Sequence, residues 1–441
     1  MAHEKVIFWF RRDLRIVDNA GLHAALCSGL PVIPLFIFDT AILSQLEDNN
    51  DRRVDFIFQA LERIQQQLAG HGSRLLIRYG TPTDVFNEIT NLISIQSVFT
   101  NRDYEPYALQ RDRDVEAILR SKNIGFHTFK DQVIFEPAEI LKPDGKPYTI
   151  YTPFSKLWKK TLSSNHLHSY PSEQGTNYDT NNLPLASFNS LEEIGFKPSG
   201  IHFQAPVINT EIVRNYHETR NFPALEGTTG LSVHLRFGTL SIRKLVQLAL
   251  DTNETWLGEL IWREFFMTIL YHFPQVTHRS FKPVYDSIRW RNNEAEFERW
   301  CQGTTGYPIV DAGMRELLAT GTMHNRVRMI VASFLTKHLL IDWRWGEAWF
   351  ARHLLDFDLS ANNGNWQWAA GCGCDAAPYF RIFNPYEQTK KFDSRLEYIG
   401  KWVPEFQQLN YPAPVVDHTV ARQRALDTYK QGLDSALHLT G

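Results

Sequence analysis

The chain of 441 residues carries only four cysteines, Cys27, Cys301, Cys372 and Cys374, too few for a disulfide framework at this length. The Cys-x-Cys pair at 372 and 374 lacks a second pair at zinc-knuckle spacing. No metal site is expected, and the two thiols read as small packing side chains. No apolar run reaches the length that crosses a bilayer, and no secretory signal is read, so the protein is expected to be cytoplasmic and without a membrane partner. A charge bias is also missing. With 46 Lys+Arg against 49 Asp+Glu the formal net charge is -3, so the molecule as a whole is not a basic nucleic-acid binder. Any such contact must use a local patch, for which the C-terminal half offers Arg220, Arg263, Arg279, Lys282, Arg326, Lys390 and Lys391 among others. No GxGxxG follows the first expected strand, which counts against an ordinary dinucleotide-binding electron carrier.

Aromatic residues, by contrast, are plentiful: 12 Trp, 16 Tyr and 29 Phe. They suit stacking on bases or on a planar cofactor, and equally a well-packed helical core. Up to about residue 130, buried-strand runs at residues 6–10, 32–38, 74–80, 97–101 and 124–129 alternate with amphipathic segments. Residues 51–70 place Val54, Ile57, Phe58, Leu61, Ile64 and Leu68 at helical spacing and stop at Gly70. The pattern predicts a doubly wound, parallel α/β domain over 1–130, with ligands beyond the carboxyl ends of its strands. Residues 131–210 are rich in Pro, Ser, Asn and Thr and read as a long surface linker. Residues 211–441 read as an all-helical domain.

The most informative stretch is 361–385, ANNGNWQWAAGCGCDAAPYFRIFNP. Trp366 and Trp368 stand at i and i+2, so on a helix they point in widely separated directions. An isolated Trp-x-Trp reads as core. Asn362, Asn363 and Asn365 beside it supply more hydrogen-bonding groups than a core helix carries without partners. This segment resembles the flavin-binding core of the DNA photolyase and cryptochrome family. So do FWFRRDLRIVDN (8–19), EGTTGLSVHLRFGTLS (226–241), GELIWREFF (258–266) and MHNRVRM (323–329), in the family's order.

The resemblance implies an N-terminal antenna-type domain and a helical domain that binds FAD, active in its reduced form. It places Tyr216 and Thr228, Thr229, Gly230, Leu231 and Ser232 around the FAD pyrophosphate; taken alone, that glycine- and hydroxyl-rich turn reads as an ordinary N-cap. Asp356, Phe357 and Asp358 would line the isoalloxazine pocket, with Arg328 as the partner of Asp356. By the same resemblance, Arg263 would be a further cofactor contact. Asn362 would face flavin N5, where an amide can accept or donate; a helix N-cap cluster would explain Asp358 and Asn362 without a cofactor. Glu259 and Trp262, at i and i+3, share a helix face and would meet the lesion as a carboxyl group beside a flat ring, with Trp368 as second wall. Asn325 would meet a pyrimidine edge and Met329 an adaptable apolar surface. Arg220, Arg263, Arg326 and Gln388 are assigned to DNA contact together with Glu259, Trp262 and Asn325. Trp366, Trp343 and Trp290 match an inside-to-surface electron-transfer chain.

These matches imply light-driven repair of cyclobutane pyrimidine dimers in DNA by a microbial class I enzyme, a carbon–carbon lyase acting as a monomer. Asn325 and Met329 stand where six-four enzymes carry histidines. The alternatives are a cryptochrome-type blue-light photoreceptor, which usually adds a C-terminal extension where this chain ends soon after Leu437, and a six-four photolyase. Thr322 replaces a frequent Trp, Asn365 a common Gly, and Gly371–Cys374 small hydroxyl residues. In the antenna-type domain, Arg11, Arg12, Asp13 and Arg15 follow the family pattern. Asp103, Glu105, Pro106 and Tyr107 do not match the folate-binding subgroup, so a second chromophore is left unassigned.

Overall fold

Five short, β-branched and aromatic runs become the strands β1 (Lys5–Phe10), β2 (Val32–Asp39), β3 (Leu76–Gly80), β4 (Ile95–Asn101) and β5 (Gly125–Phe129) of the computed structural model. The structure describes residues 4–439 except 182 and 184. All strand pairs are parallel, in the order β3-β2-β1-β4-β5, so the order reverses between β1 and β4. β1 and β2 are almost wholly buried, while the edge strands β3 and β5 are only partly so. Ile7, Trp9, Leu35, Leu76, Phe86 and Val98 form the core on one face.

Chain contacts divide the molecule into two units: Met1–Ile140, Trp158–Ile208 and Leu231–Asp251, and Leu141–Leu157, Asn209–Gly230 and Thr252–Gly441. This division differs from boundaries at 130 and 210. The 131–210 segment is polar in composition yet buries Val133, Ile134, Phe135, Trp158, Leu191 and Phe203, so most of it packs as part of the first unit. Part of its polar content is spent there too. Asp55 is buried on the helix Arg52–Ala69 and accepts from the Ser199 N–H (2.7 Å) and hydroxyl (2.5 Å). The buried stripe differs from the expected one: Phe56 is buried against Phe203 and Phe237, whereas Ile57 and Phe58 are half-buried. Asp51 caps the helix and Gly70 ends it.

In the second unit, helices follow one another from Thr210–Thr219 to His418–Leu439. Its core joins Trp300, Tyr307, Val331, Leu335, Trp343, Phe350 and Trp366. Two glycines set how closely these helices approach. A Cβ on Gly346 would lie 2.1 Å from the Trp366 ring, and one on Gly364 would lie 2.2 Å from the Phe266 ring. Any larger side chain would push apart the helices Trp343–His353, Leu359–Ala370 and Glu254–His272.

Candidate functional site

The sequence Asp358-Leu-Ser starts a helix by a side-chain cap: the Asp358 carboxylate accepts from Ser360 N (3.1 Å) and Ala361 N (3.2 Å). The N-cap reading of Asp358 therefore holds, and the residue also borders a cavity. The cavity encloses about 590 Å³ including its open mouth, within the size range of small-molecule sites. Asn325, Arg328 and Met329 line it from the helix Asn325–Ser333. Phe350 contributes from Trp343–His353, Asp356 to Asp358 from the following loop, and Asn362, Trp366 and Trp368 from Leu359–Ala370. Ten residues picked out in the sequence thus meet at one place: Asn325, Arg328, Met329, Asp356, Phe357, Asp358, Asn362, Asn365, Trp366 and Trp368.

The expected ion pair is present. Arg328 Nη2 donates to both Asp356 oxygens, at 3.1 and 2.9 Å, while its Nε holds the Met323 carbonyl at 2.8 Å. The Asp356 side chain is only 5% exposed, so the pair supplies the compensation that a desolvated carboxylate requires. Asn362 is oriented from behind. Its Nδ2 donates to the Glu347 backbone oxygen (3.1 Å) and to Glu347 Oε1 (2.8 Å), and among the described residues its Oδ1 accepts from none. Burial holds the Glu347 carboxyl above its ordinary range, against the opposing effect of the Asn362 bond. The neighbouring amides differ. Asn363 and Gln367 donate to the Val276 carbonyl, Gln367 also to that of Arg279, so both brace a loop; exposed Asn365, at the cavity's edge, donates to the Ala361 carbonyl.

A second group forms around Glu259. Arg220 donates to the Glu259 carboxylate and lies 6.0 Å over the Tyr216 ring. Burial pushes the Glu259 carboxyl up from its ordinary value and outweighs Arg220, which pulls it down. Trp262 lies flat against Tyr151, edge-on to Phe265 at 5.5 Å and tilted 31° from Phe266 at 5.4 Å. Arg326 is not an extended arm: it donates to Asn221 Oδ1 (2.6 Å), approaches Met329 Sδ (3.7 Å) and packs over Phe392 (4.3 Å). Arg263 follows Trp262 and is half-buried; Gln388 is half-buried on the helix Pro385–Phe392. Thr228 and Gly230 are exposed, Thr229 half-buried and Leu231 buried, and Gly230 takes φ +64, a conformation that favours glycine. Ser232 opens a helix with no side-chain cap, so the ordinary N-cap reading of this turn does not apply.

Of the three tryptophans at chain positions, Trp366 and Trp343 are buried and Trp290 is half-buried, edge-on to Tyr429 at 5.8 Å. Trp366 meets Phe350 at 5.0 Å and Trp300 at 6.1 Å, and Gly346, one turn from Trp343, presses on its ring. Sequence reasoning missed Glu347 and Tyr151. Glu347 stands four residues after Trp343, one helical turn away, and that spacing was the available signal.

In the first unit, the loops after β1 and β4 meet at the strand-order reversal, where ligands bind in such sheets, but charges fill the place. Arg11 pairs with Asp112 and donates to the Asn101 carbonyl; Arg12 holds Asp103 (3.2 Å) and Glu105 (2.8 Å). Asp13 accepts from Asn101 Nδ2 at 2.6 Å. Burial would raise the pKa of Asp103, but Arg12, Arg111, Arg11 and Arg236 overcome it and bring it down to about 2. Tyr107 donates to Asp39 at 2.5 Å.

Comparison with known proteins agrees with this architecture. Residues 6–173 match the family model for DNA photolyase, and residues 256–410 match that for the FAD binding domain of DNA photolyase. The deoxyribodipyrimidine photo-lyase of a Synechococcus species is 38% identical, over 97% of this chain and 96% of the relative. Among solved structures, a class III photolyase from Agrobacterium tumefaciens superposes with a TM-score of 0.87 at 33% identity, covering 98% of both chains. A Synechocystis cryptochrome superposes with a TM-score of 0.84 at 26% identity, over 97% of this chain and 99% of the other. The chain belongs to the DNA photolyase and cryptochrome family and is an enzyme of photolyase type. Its cofactor is FAD, and the cavity fits a flavin: aromatic and apolar walls, one internally neutralised ion pair, and a fixed amide oxygen with no protein donor among the described residues. No described helix is long and apolar enough to cross a membrane.

Proposed function

We propose that the protein repairs cyclobutane pyrimidine dimers in DNA, driven by light. The observation that carries this reading is that the residues matched to the lesion, Asn325, Met329 and Trp368, share a single cavity with those matched to the flavin, Arg328, Asp356, Phe357, Asp358 and Asn362. When bound, FAD supplies light absorption and the one-electron chemistry of ring splitting. The protein's residues orient, bind and exclude water. The Arg328–Asp356 pair and Asn362 hold the ring system, and Asn362, with its nitrogen spent on Glu347, offers an acceptor to a protonated ring nitrogen. Tyr216, Arg263 and residues 228–232 hold the remainder of the cofactor.

Photolyases belong to the enzymes that take their base out of the stack, and a dimer's weakened pairing lowers that cost. Trp262 and Trp368 wall the extruded dimer, Asn325 and Glu259 meet its polar edges, and Met329 fills the apolar side. Arg220, Arg326 and Gln388 contact the DNA strand. Neither Asn325 nor Met329 titrates, which supports a reaction without proton transfer from the protein over six-four repair. Trp290, Trp343 and Trp366 relay an electron inward from the surface.

The test is incubation of reduced, FAD-loaded protein with oligonucleotides carrying a thymine dimer or a six-four product, in blue light and in darkness. Light-dependent restoration of thymines from the dimer alone is expected. Restoration from the six-four product would replace the substrate assignment, and restoration from neither would leave a photoreceptor as the better reading. Trp366→Phe is expected to block photoreduction of oxidised enzyme while chemically reduced enzyme still repairs; equal loss of both would contradict that division of roles.

A further inference from the structure

Tyr151 opens the helix Tyr151–Thr161, inside the stretch that composition marks as a connector. Its ring lies on Trp262 with centroids 3.7 Å apart and planes 5° from parallel. Isolated aromatic pairs prefer offset or edge-on arrangements to a face-to-face sandwich, so something must hold this one. The tyrosine is fastened at two further points. Its hydroxyl donates to the Gly258 carbonyl at 2.8 Å, one helical turn before Trp262, and its backbone N–H donates to Asp375 Oδ2 at 3.0 Å. Asp375 follows the helix that carries Trp366 and Trp368. Phe266, tilted 31° at 5.4 Å from Trp262, is itself wedged against Gly364 of that helix. Trp262 therefore has one face covered by a ring that is itself fastened at its hydroxyl and its backbone.

We propose that Tyr151 is a positioning residue for the lesion: by covering one face of Trp262 it fixes the plane of that ring and leaves only the opposite face to stack on a pyrimidine dimer. The proposal rests on the dimer-repair reading above. The tyrosine ring carries the effect and its hydroxyl secures the ring, so phenylalanine preserves most of the function and a side chain without a flat face does not.

The experiment measures dark binding of FAD-loaded protein to a thymine-dimer oligonucleotide and to the same sequence undamaged. Wild-type protein must first prefer the dimer; if it does not, the repair reading fails before any variant is made. With that preference established, Tyr151→Leu is expected to lose roughly tenfold in affinity for the dimer and none for undamaged DNA, as removal of one stacking contact would do. Tyr151→Phe is expected to stay within about twofold. A near-ultraviolet circular dichroism band from the stacked pair should be absent in the leucine variant and kept in the phenylalanine variant, with FAD content and photoreduction unchanged in both. Tyr151→Met, which fills the volume with a flexible chain, serves where the leucine variant does not fold and is expected to show the same selective loss. Unchanged dimer preference in the leucine or methionine variant, or equal loss on both DNAs, overturns the proposal.

Discussion

The two units each gather polar groups around an opening, and they spend them differently. At the end of the sheet, Arg11, Arg12, Asp13, Asn101, Asp103 and Glu105 are bonded to one another and to their own loops. In the helical unit a larger cavity has one ion pair, several aromatic walls and an amide whose nitrogen is bound and whose oxygen has no donor among the described residues. The difference teaches that capacity for a ligand lies in hydrogen-bonding valence left over, not in the number of charges. A cluster whose charges pair with one another rigidifies a fold, even where, as at Arg11 Nε, one buried N–H finds no partner among the described residues; an acceptor left open at a fixed point on a cavity wall is prepared for something else.

Breaking the helical cavity should have the largest effect. Arg328→Leu leaves the Asp356 carboxylate buried and unpaired, a change that costs about 3–5 kcal/mol. The expected outcome is a lower denaturation midpoint and protein purified without flavin absorbance. Acidification should separate the units next. Burial, with cationic neighbours, depresses His324 to about 4 and, with His418 and Arg424 nearby, His338 to about 3, both in the helical unit; burial and Arg63 depress His234 to about 4 in the other. An unfolded imidazole takes its proton near 6.5. At these three histidines the unfolded chain binds more protons than the folded one between about pH 6.5 and 4, so their contribution to stability falls as pH falls, while Glu259 and Glu347, raised by burial, act in the opposite sense. Asp103 behaves oppositely, since its depressed pKa keeps its contribution intact until pH drops below about 4 and toward 2. Urea melts from pH 7.5 to 4.5 should show His338→Phe losing less stability on acidification than the wild type, because the buried imidazole that resists protonation is gone. The smallest effect is expected from Asp103→Asn, about 1–3 kcal/mol of stability in the first unit, read by thermal melting, with flavin content unchanged.

The strands were legible because the sheet is parallel and buried, so apolar runs mark it directly; the largest shifts are at the starts of β3, two residues later than expected, and β4, two residues earlier, where Gln96 breaks the apolar run. The pairing of Arg328 with Asp356 was legible only through the family resemblance, since 28 residues separate them. Glu347 escaped notice because its bond to Asn362 joins two helices, and a carboxylate on an aromatic-rich helix looks like surface charge. Asn363 and Gln367 misled in the other direction. In sequence they belong to the same amide cluster as Asn362, yet in the fold they support the carbonyls of residues 276 and 279. Tyr151 was hidden by the polar composition of the chain around it. Spacing reports which residues share a helix face; it does not report which faces meet.

The central claim, that the cofactor occupies the helical cavity and not the charged cluster at the end of the sheet, is tested most directly by FAD stoichiometry. Ala361 lines the cavity, and Ala361→Phe fills it without removing any bond. Titration of apo-protein followed by protein-bound flavin absorbance should give one FAD in the wild type and in Asp103→Asn, and none in Ala361→Phe at an unchanged melting temperature. Full binding by Ala361→Phe, or loss of binding in Asp103→Asn alone, would contradict it.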